Sequence, residues 1–342
     1  MKRSCCIGLM ALWVGLTQAG TGLTELPATA TDGPVTVYYP TSASDAAVHR
    51  GPFTLHLAWQ GMPVRGNGRL VVVSHGSGGS PWVHADLARA LVAAGFVVAL
   101  PEHRADNYKD PSSPGPDSWK LRPAEVSRAI DALAQHAEFG PLLALDKVGV
   151  FGGSAGGHTA LTLAGGRWSP AAFKQHCEAH LADDFSSCVG FTTRLRGNLL
   201  DGLKKVVALG VIRQRFDDTT WYSHVDPRIQ AAIASVPFAV DFDMASFNTL
   251  RIPLGLVIAD QDINQIPRFH VGAVRAACPA CEVVAEFPQG GHSVMLSPLP
   301  PFPAGSIAGE LLGDPPGFDR SLLPLADRKI GDFFRRHLLG AP

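Results

Sequence analysis

Short apolar runs alternate with segments of helical periodicity along most of this chain. Val35 to Tyr39 and Phe53 to Trp59 alternate apolar and polar positions and are rich in β-forming residues, so they predict opening strands. Leu70 to Val73, Phe96 to Leu100 and Val148 to Phe151 are continuous apolar runs, the pattern of strands buried on both faces. Ala231 to Val236, Leu254 to Ala259 and Val283 to Phe287 repeat it. Between and after them, helical spacing spans Trp82 to Ala94, Pro123 to Ala137, His158 to Ala164 and Ala326 to Leu339. Pro123 is expected near a helix start, where its missing N–H costs nothing. Strands alternating with helices predict an α/β fold, a mostly parallel central sheet flanked by helices on both faces.

Two stretches interrupt the rhythm. Residues 165–228 hold Cys177, Cys188, a possible amphipathic helix from Leu199 to Val211, and the pair Trp221-Tyr222. Residues 297–320 are rich in Pro and Gly. Long insertions beside strand ends often shape a ligand site, so both are candidate lid elements. No internal repeat or domain linker is evident, and residues 30–340 read as one domain.

The first 19 residues read as an address. Lys2 and Arg3 precede the apolar run Ile7 to Leu16, and Thr17-Gln18-Ala19 offers small residues at a cleavage site, the layout of a secretory signal peptide. About 10 apolar residues are too few to span a bilayer core that needs roughly 20. The expectation is a periplasmic or secreted protein without a stable membrane anchor. Four cysteines then remain, and an oxidising compartment favours disulfides. Proximity suggests Cys177–Cys188 and Cys278–Cys281, although four cysteines allow three pairings. Cys278-Pro-Ala-Cys281 also has redox-motif spacing, but it precedes a strand instead of opening a helix, which favours a structural staple over redox or zinc chemistry.

Charge narrows the partners. With 29 Lys+Arg against 30 Asp+Glu, the formal charge of -1 argues against an electrostatic nucleic-acid binder. Hydrophobic content of 46% is far too high for disorder. Those exclusions leave a compact enzyme or binding protein with a small-molecule partner.

The candidate chemistry lies at strand ends. Gly152-Gly153-Ser154-Ala155-Gly156 follows the strand Val148 to Phe151 and precedes a helix, the context in which G-x-S-x-G presents a nucleophile on a strained turn. Gly152 and Gly156 would let strand and helix approach, and the helix N-terminus favours developing negative charge. No Lys-Ser/Thr pair follows the glycines, so a phosphate loop is set aside. His75-Gly76-Ser77-Gly78-Gly79 ends an earlier strand. Its Ser77 N–H, with that of Ala155, is expected to form an oxyanion hole, and His75 is expected to hold the loop. A base and an acid should follow Ser154 in the order Asp, His. His292, after Gly290-Gly291 at a strand end, is the expected base. Asp262 is favoured as the acid over Asp260 and Asp241. Asp260-x-Asp262-x-Asn264 resembles the start of a calcium loop but lacks its Gly and Glu.

These motifs, with Pro101-Glu102-His103-Arg104, give the chain a resemblance to the α/β-hydrolases. It most resembles the bacterial secreted dienelactone-hydrolase-like and platelet-activating-factor acetylhydrolase-like group. The resemblance implies an α/β-hydrolase fold with a lid-like insertion. It also implies a serine esterase that acts on a small-molecule ester or lipid-like substrate and needs no cofactor or metal, with Ser154, Asp262 and His292 catalytic and the oxyanion donors as above. Dienelactone hydrolases carry Cys where Ser154 stands, and acetylhydrolases carry a bulky residue where Gly153 stands, so substrate identity does not transfer. Glu102 and His103 are expected to support the loop. A peptidase or amidase on the same scaffold, or a binding protein with a decayed site, are the alternatives.

Overall fold

A computed structural model of the chain describes residues 20–340. The expected leader, residues 1–19, lies outside the described residues. Ten strands form one sheet: β1 (Gly20–Leu26), β2 (Val35–Thr41), β3 (Ala46–Arg50), β4 (Phe53–Trp59), β5 (Leu70–Ser74), β6 (Val97–Pro101), β7 (Val148–Gly153), β8 (Ile229–Ser235), β9 (Leu254–Ala259) and β10 (Glu282–Phe287). Their spatial order is β10-β9-β8-β7-β5-β6-β2-β1-β4-β3. From β10 to β6 all neighbours are parallel, while β2 joins β6 antiparallel and opens a mixed flank in which β1 and β4 pair in parallel. The parallel strands are those read from continuous apolar runs, and β5, β6 and β9 are buried along their whole length. Two strands carried no clear signal. β3 packs only Val48 partly against the core, and β1 lies upstream of the expected domain start at residue 30 yet pairs along its length with β2.

Nine helices are described: α1 (Ala85–Ala93), α2 (Pro116–Gln135), α3 (Ala155–Ala164), α4 (Pro170–His180), α5 (Phe185–Val189), α6 (Leu200–Arg215), α7 (Val271–Ala277), α8 (Ile307–Leu312) and α9 (Leu323–Leu339). They cover both faces of the sheet. One apolar layer collects α1 and α9, where Ile330, Phe333, Phe334 and Leu338 are buried; the other collects α2, α3 and the 165–228 insertion. Each such side chain contributes roughly 1.5–3 kcal/mol of burial.

One expected boundary is wrong. Pro123 does not begin a helix; α2 starts at Pro116 and runs through it. A proline inside a helix loses one backbone hydrogen bond. The preceding turn is held by tertiary contacts instead, because Trp119 and Arg122 are buried in the core. The insertion 165–228 supplies α4, α5 and α6 between α3 and β8. The Cys177–Cys188 disulfide ties α4 to α5, and Cys278–Cys281 closes the end of α7 ahead of β10. Both pairs are those that proximity suggested, and neither sits at a helix N-terminus that would activate a thiolate. Among the described residues no helix is long and apolar enough to cross a membrane.

The parallel sheet and α3 meet without room for side chains. A Cβ on Gly152 would strike the Gly156 carbonyl oxygen, and one on Gly156 would strike that of Ser74. Both obstacles are backbone, which cannot swing aside. Gly156→Ala should therefore destabilise the protein by about 1–3 kcal/mol. Thermal melting followed by circular dichroism reads this directly, and an unchanged midpoint would mean that the elbow can relax.

Candidate active site

Ser154 occupies the turn between β7 and α3 with φ 56° and ψ -119°. Positive φ is costly for a residue with a Cβ and persists where surrounding structure enforces it. Here the Ser154 N–H donates to the Ser235 carbonyl (3.0 Å), while its own carbonyl accepts from His158 (3.0 Å) and Phe238 (3.2 Å). The backbone is thus pinned from three directions, and the hydroxyl is left at the head of α3.

His292 reaches that hydroxyl from the loop after β10. The Ser154 Oγ–H donates to His292 Nε2 at 2.9 Å, and His292 Nδ1–H donates to Asp262 Oδ2 at 2.7 Å. The other Asp262 oxygen accepts the N–H groups of Asn264 and Gln265, both at 2.8 Å, which fixes the carboxylate. Asp262 and His292 are both buried. The two other acids considered are elsewhere: Asp260 is exposed, and Asp241 is buried against His158 Nε2 at 3.0 Å. His158 is stacked on Trp119 (4.7 Å between centroids), so that pair belongs to the packing beneath α3.

The loop after β5 lies against the serine. A Cβ on Gly76 would come 3.3 Å from that of Ser154. Ser77 lines both cavities beside Ser154, and Ala155 lines one of them. The loop is held from below by groups that local sequence did not single out. Asp106 accepts from Ser77 Oγ (2.5 Å) and from the Gly78 N–H (3.0 Å). Arg122, wholly buried, donates to Asp106 Oδ2 (2.7 Å), to the His75 carbonyl (2.5 Å) and to Ser118 Oγ (2.8 Å). His75 accepts the His103 N–H on Nε2 (3.1 Å), so its Nδ1 carries the proton donated to the Gly76 carbonyl (2.7 Å). His103 in turn bridges Ser74 Oγ (2.7 Å) and Glu125 (2.6 Å). His75 and His103 are therefore loop supports, as expected; Glu102 pairs with Lys109 instead.

Gln265 is the residue at the serine that sequence reasoning missed. Its Nε2 donates to Ser154 Oγ at 3.2 Å, and its buried Oε1 has no partner among the described residues. Only the neighbouring Asp262 could have pointed to it.

Two cavities meet at Ser154. One, of about 300 Å³, is walled by Trp82, Val83, Phe191, Met295 and Phe302 and also touches His292. The other, of about 510 Å³, is walled by Trp119, Phe173, Phe216 and Phe238 and touches Gln265. Both Pro/Gly-rich residues 297–320 and the 165–228 insertion thus contribute walls. Among the described residues no cluster of three or more His, Cys, Asp or Glu is arranged to hold a metal ion.

The family described as the Alpha/beta hydrolase family matches residues 70–302. A solved structure, the ferulic acid esterase from Streptomyces cinnamoneus, superposes with a TM-score of 0.60 at 17% identity over 96% of this chain and 92% of that one. No curated protein matches. The fold is the α/β-hydrolase fold expected above, with its parallel sheet between two helical layers.

Burial keeps several imidazoles neutral. It pushes His75 well below the ordinary value, with His103 and Arg122 nearby adding to the effect. It pushes His103 well down, with Arg122 adding, and His84 down to about 4. Unfolding lets these groups bind protons below about pH 6.5, so stability falls as pH drops through that value. Each contributes up to about 1.4 kcal/mol per pH unit. Burial raises Glu125, and raises Asp327 to about 7, which offsets part of this slope. Urea denaturation at pH 7.5, 6.5 and 5.0 should show stability decreasing toward acid. A flat or rising curve would mean that these imidazoles are protonated in the fold.

Proposed function

Because the chain belongs to the alpha/beta hydrolase family, we propose that it is a secreted serine hydrolase that cleaves carboxylic esters. The observation that carries this reading is the unbroken hydrogen-bonded chain Ser154–His292–Asp262 at the junction of two apolar cavities. His292 takes the Ser154 proton as Oγ bonds to the ester carbonyl carbon, and the carbonyl π pair moves onto oxygen. The Ser77 and Ala155 N–H groups receive that oxyanion, and the Arg122–Asp106 clamp holds the first donor's loop in place. Collapse breaks the bond to the alcohol, which leaves with the proton from His292. Water then gives a proton to His292, attacks the acyl-enzyme, and releases the acid while Ser154 recovers its hydrogen. Asp262 orients the imidazole and stabilises its charged form.

One cavity for each side of the ester bond suits a substrate with bulk on both its acyl and alcohol parts. The similarity to a ferulic acid esterase supports esters over amides. The finer kinship to the dienelactone-hydrolase-like and acetylhydrolase-like group rests on the motifs at Ser154 and His75. A single domain that takes in β1 from Gly20, with 165–228 as its lid, and export through residues 1–19 belong to the same proposal.

A fluorophosphonate should label Ser154, as mapped by peptide mass spectrometry, and label and ester turnover should both vanish in Ser154→Ala. Matching p-nitrophenyl ester and anilide substrates separate esterase from amidase. No adduct on Ser154, or turnover that survives Ser154→Ala, would end the serine-hydrolase reading.

The loop clamp gives a separate expectation. Asp106→Asn keeps the shape but removes the charge that Arg122 and the Gly78 N–H engage. With the oxyanion loop loosened, kcat should fall by about tenfold to a hundredfold with little change in KM. Unchanged kcat in a folded Asp106→Asn protein would show that the loop is held without this carboxylate.

A further inference from the structure

Helix α6 shows solvent a surface that helices ordinarily bury. At 100° per residue, Leu199, Leu200, Leu203, Val206, Val207, Gly210 and Val211 fall on one face about 140° wide, with Gln214 its one polar residue, in the last turn. Leu199 is fully exposed, and Leu203 and Val206 are 61% and 69% exposed. On the opposite face Ile212 is buried and Ala208 and Leu209 pack against the core. The helix is therefore apolar on two sides, anchored by one and unpartnered on the other. Contiguous apolar exposure of this kind marks an interaction site.

The edges of the stripe are basic. Arg213 borders it on one side, and Lys204 and Arg215 on the other. From residue 194 to 215 there are six cations (Arg194, Arg196, Lys204, Lys205, Arg213 and Arg215) and one acid, Asp201, although the whole chain holds 29 cations and 30 acids. The pairs Arg213–Glu178 and Arg196–Glu310 are exposed ones of little worth, so these cations can exchange partners, whereas Lys204 is half-buried against Asp201 and the Arg194 carbonyl.

We propose that α6 docks this protein on an anionic phospholipid surface. The helix lies along the interface, its Leu and Val side chains enter the acyl boundary, and its Lys and Arg heads stay at the phosphates. The charge decides against a second copy of the chain as the occupant. A twofold contact would set one basic rim against the other, whereas an anionic leaflet neutralises it. The docked face belongs to the same insertion that lends Phe191 to both cavities and Phe216 to one, so docking brings the cavity walls close to lipid. The inference does not depend on the ester reading, and its test needs no substrate.

The test is co-sedimentation of purified protein with vesicles of phosphatidylcholine, with or without about a third phosphatidylglycerol. Binding to the anionic vesicles should be at least about tenfold tighter than to the neutral ones and should weaken as salt is raised. Leu203→Glu with Val207→Glu changes two exposed positions, so melting should be unchanged while vesicle binding drops at least about tenfold. Three results would overturn the proposal: no preference for anionic vesicles, undiminished binding by the double variant, or a wild-type dimer in light scattering that the double variant converts to monomer. The last would assign the face to a second copy.

Discussion

The guanidinium of Arg122 sits where the loops after β5 and β6 cross the top of α2, and the architecture around the serine depends on it. It has no solvent exposure and satisfies Ser118, the His75 carbonyl and both the carboxylate and the carbonyl of Asp106. A buried ion pair of this kind adds little net stability over an apolar replacement, but removing one partner leaves a charge stranded. Its value is positional. Asp106 spends one oxygen on Arg122 and the other on Ser77 and Gly78, so the loop opposite Ser154 is fixed by a charge that cannot move. The same clamp explains why α2 tolerates Pro123. The turn that precedes the proline carries Arg122 and Trp119 into the core, and those contacts hold it whether or not the helical bond is made.

A second buried centre ties the insertion to the acid's loop. Asp184, just before α5, accepts from His176 (2.8 Å) and His270 (3.2 Å), and the single Ser187 hydroxyl proton is shared between Asp184 (2.8 Å) and the Asn264 carbonyl (2.9 Å). Burial acts to raise Asp184, but the hydrogen bonds from His176 and His270 outweigh it and hold the carboxyl well below the usual carboxylate range. Asn264 and Gln265 in turn donate to Asp262. The insertion is therefore not a flap hinged independently of the site: part of it is fastened, through two residues, to the carboxylate that orients His292. The Cys177–Cys188 link stiffens that same part.

Some of this was legible in the residues and some was not, and the division has a physical basis. Ser154 announces itself because a strained turn between a buried strand and a helix needs small neighbours on both sides, and that need is written within five positions. His292 and Asp262 are legible for a similar reason, each directly beyond a strand whose apolar run is unmistakable. Arg122, Asp106, Gln265 and Asp184 each act through at least one partner 16 to 111 positions away, and nothing in their immediate surroundings differs from an ordinary polar residue. β3 escaped because only Val48 of its five residues packs against the core, too little for an alternation to read. The start of α2 was misplaced because a local rule about proline yielded to long-range packing.

The insertion also shows how one added segment answers two constraints at once. Its inner residues must complete an apolar chamber over a polar hydrogen-bonded chain, and Phe173, Phe191 and Phe216 do so around Ser154. A helix only one layer thick above that chamber has its second face in water, where polarity would be the stable choice. α6 instead keeps Leu and Val outward and places its cations at the margins. An apolar face held in water is an energetic cost with no return inside the fold, since the core beneath is already filled by Ile212, Ala208 and Leu209. What offsets that cost must come from outside the chain, and the basic margins give that outside partner a negative sign.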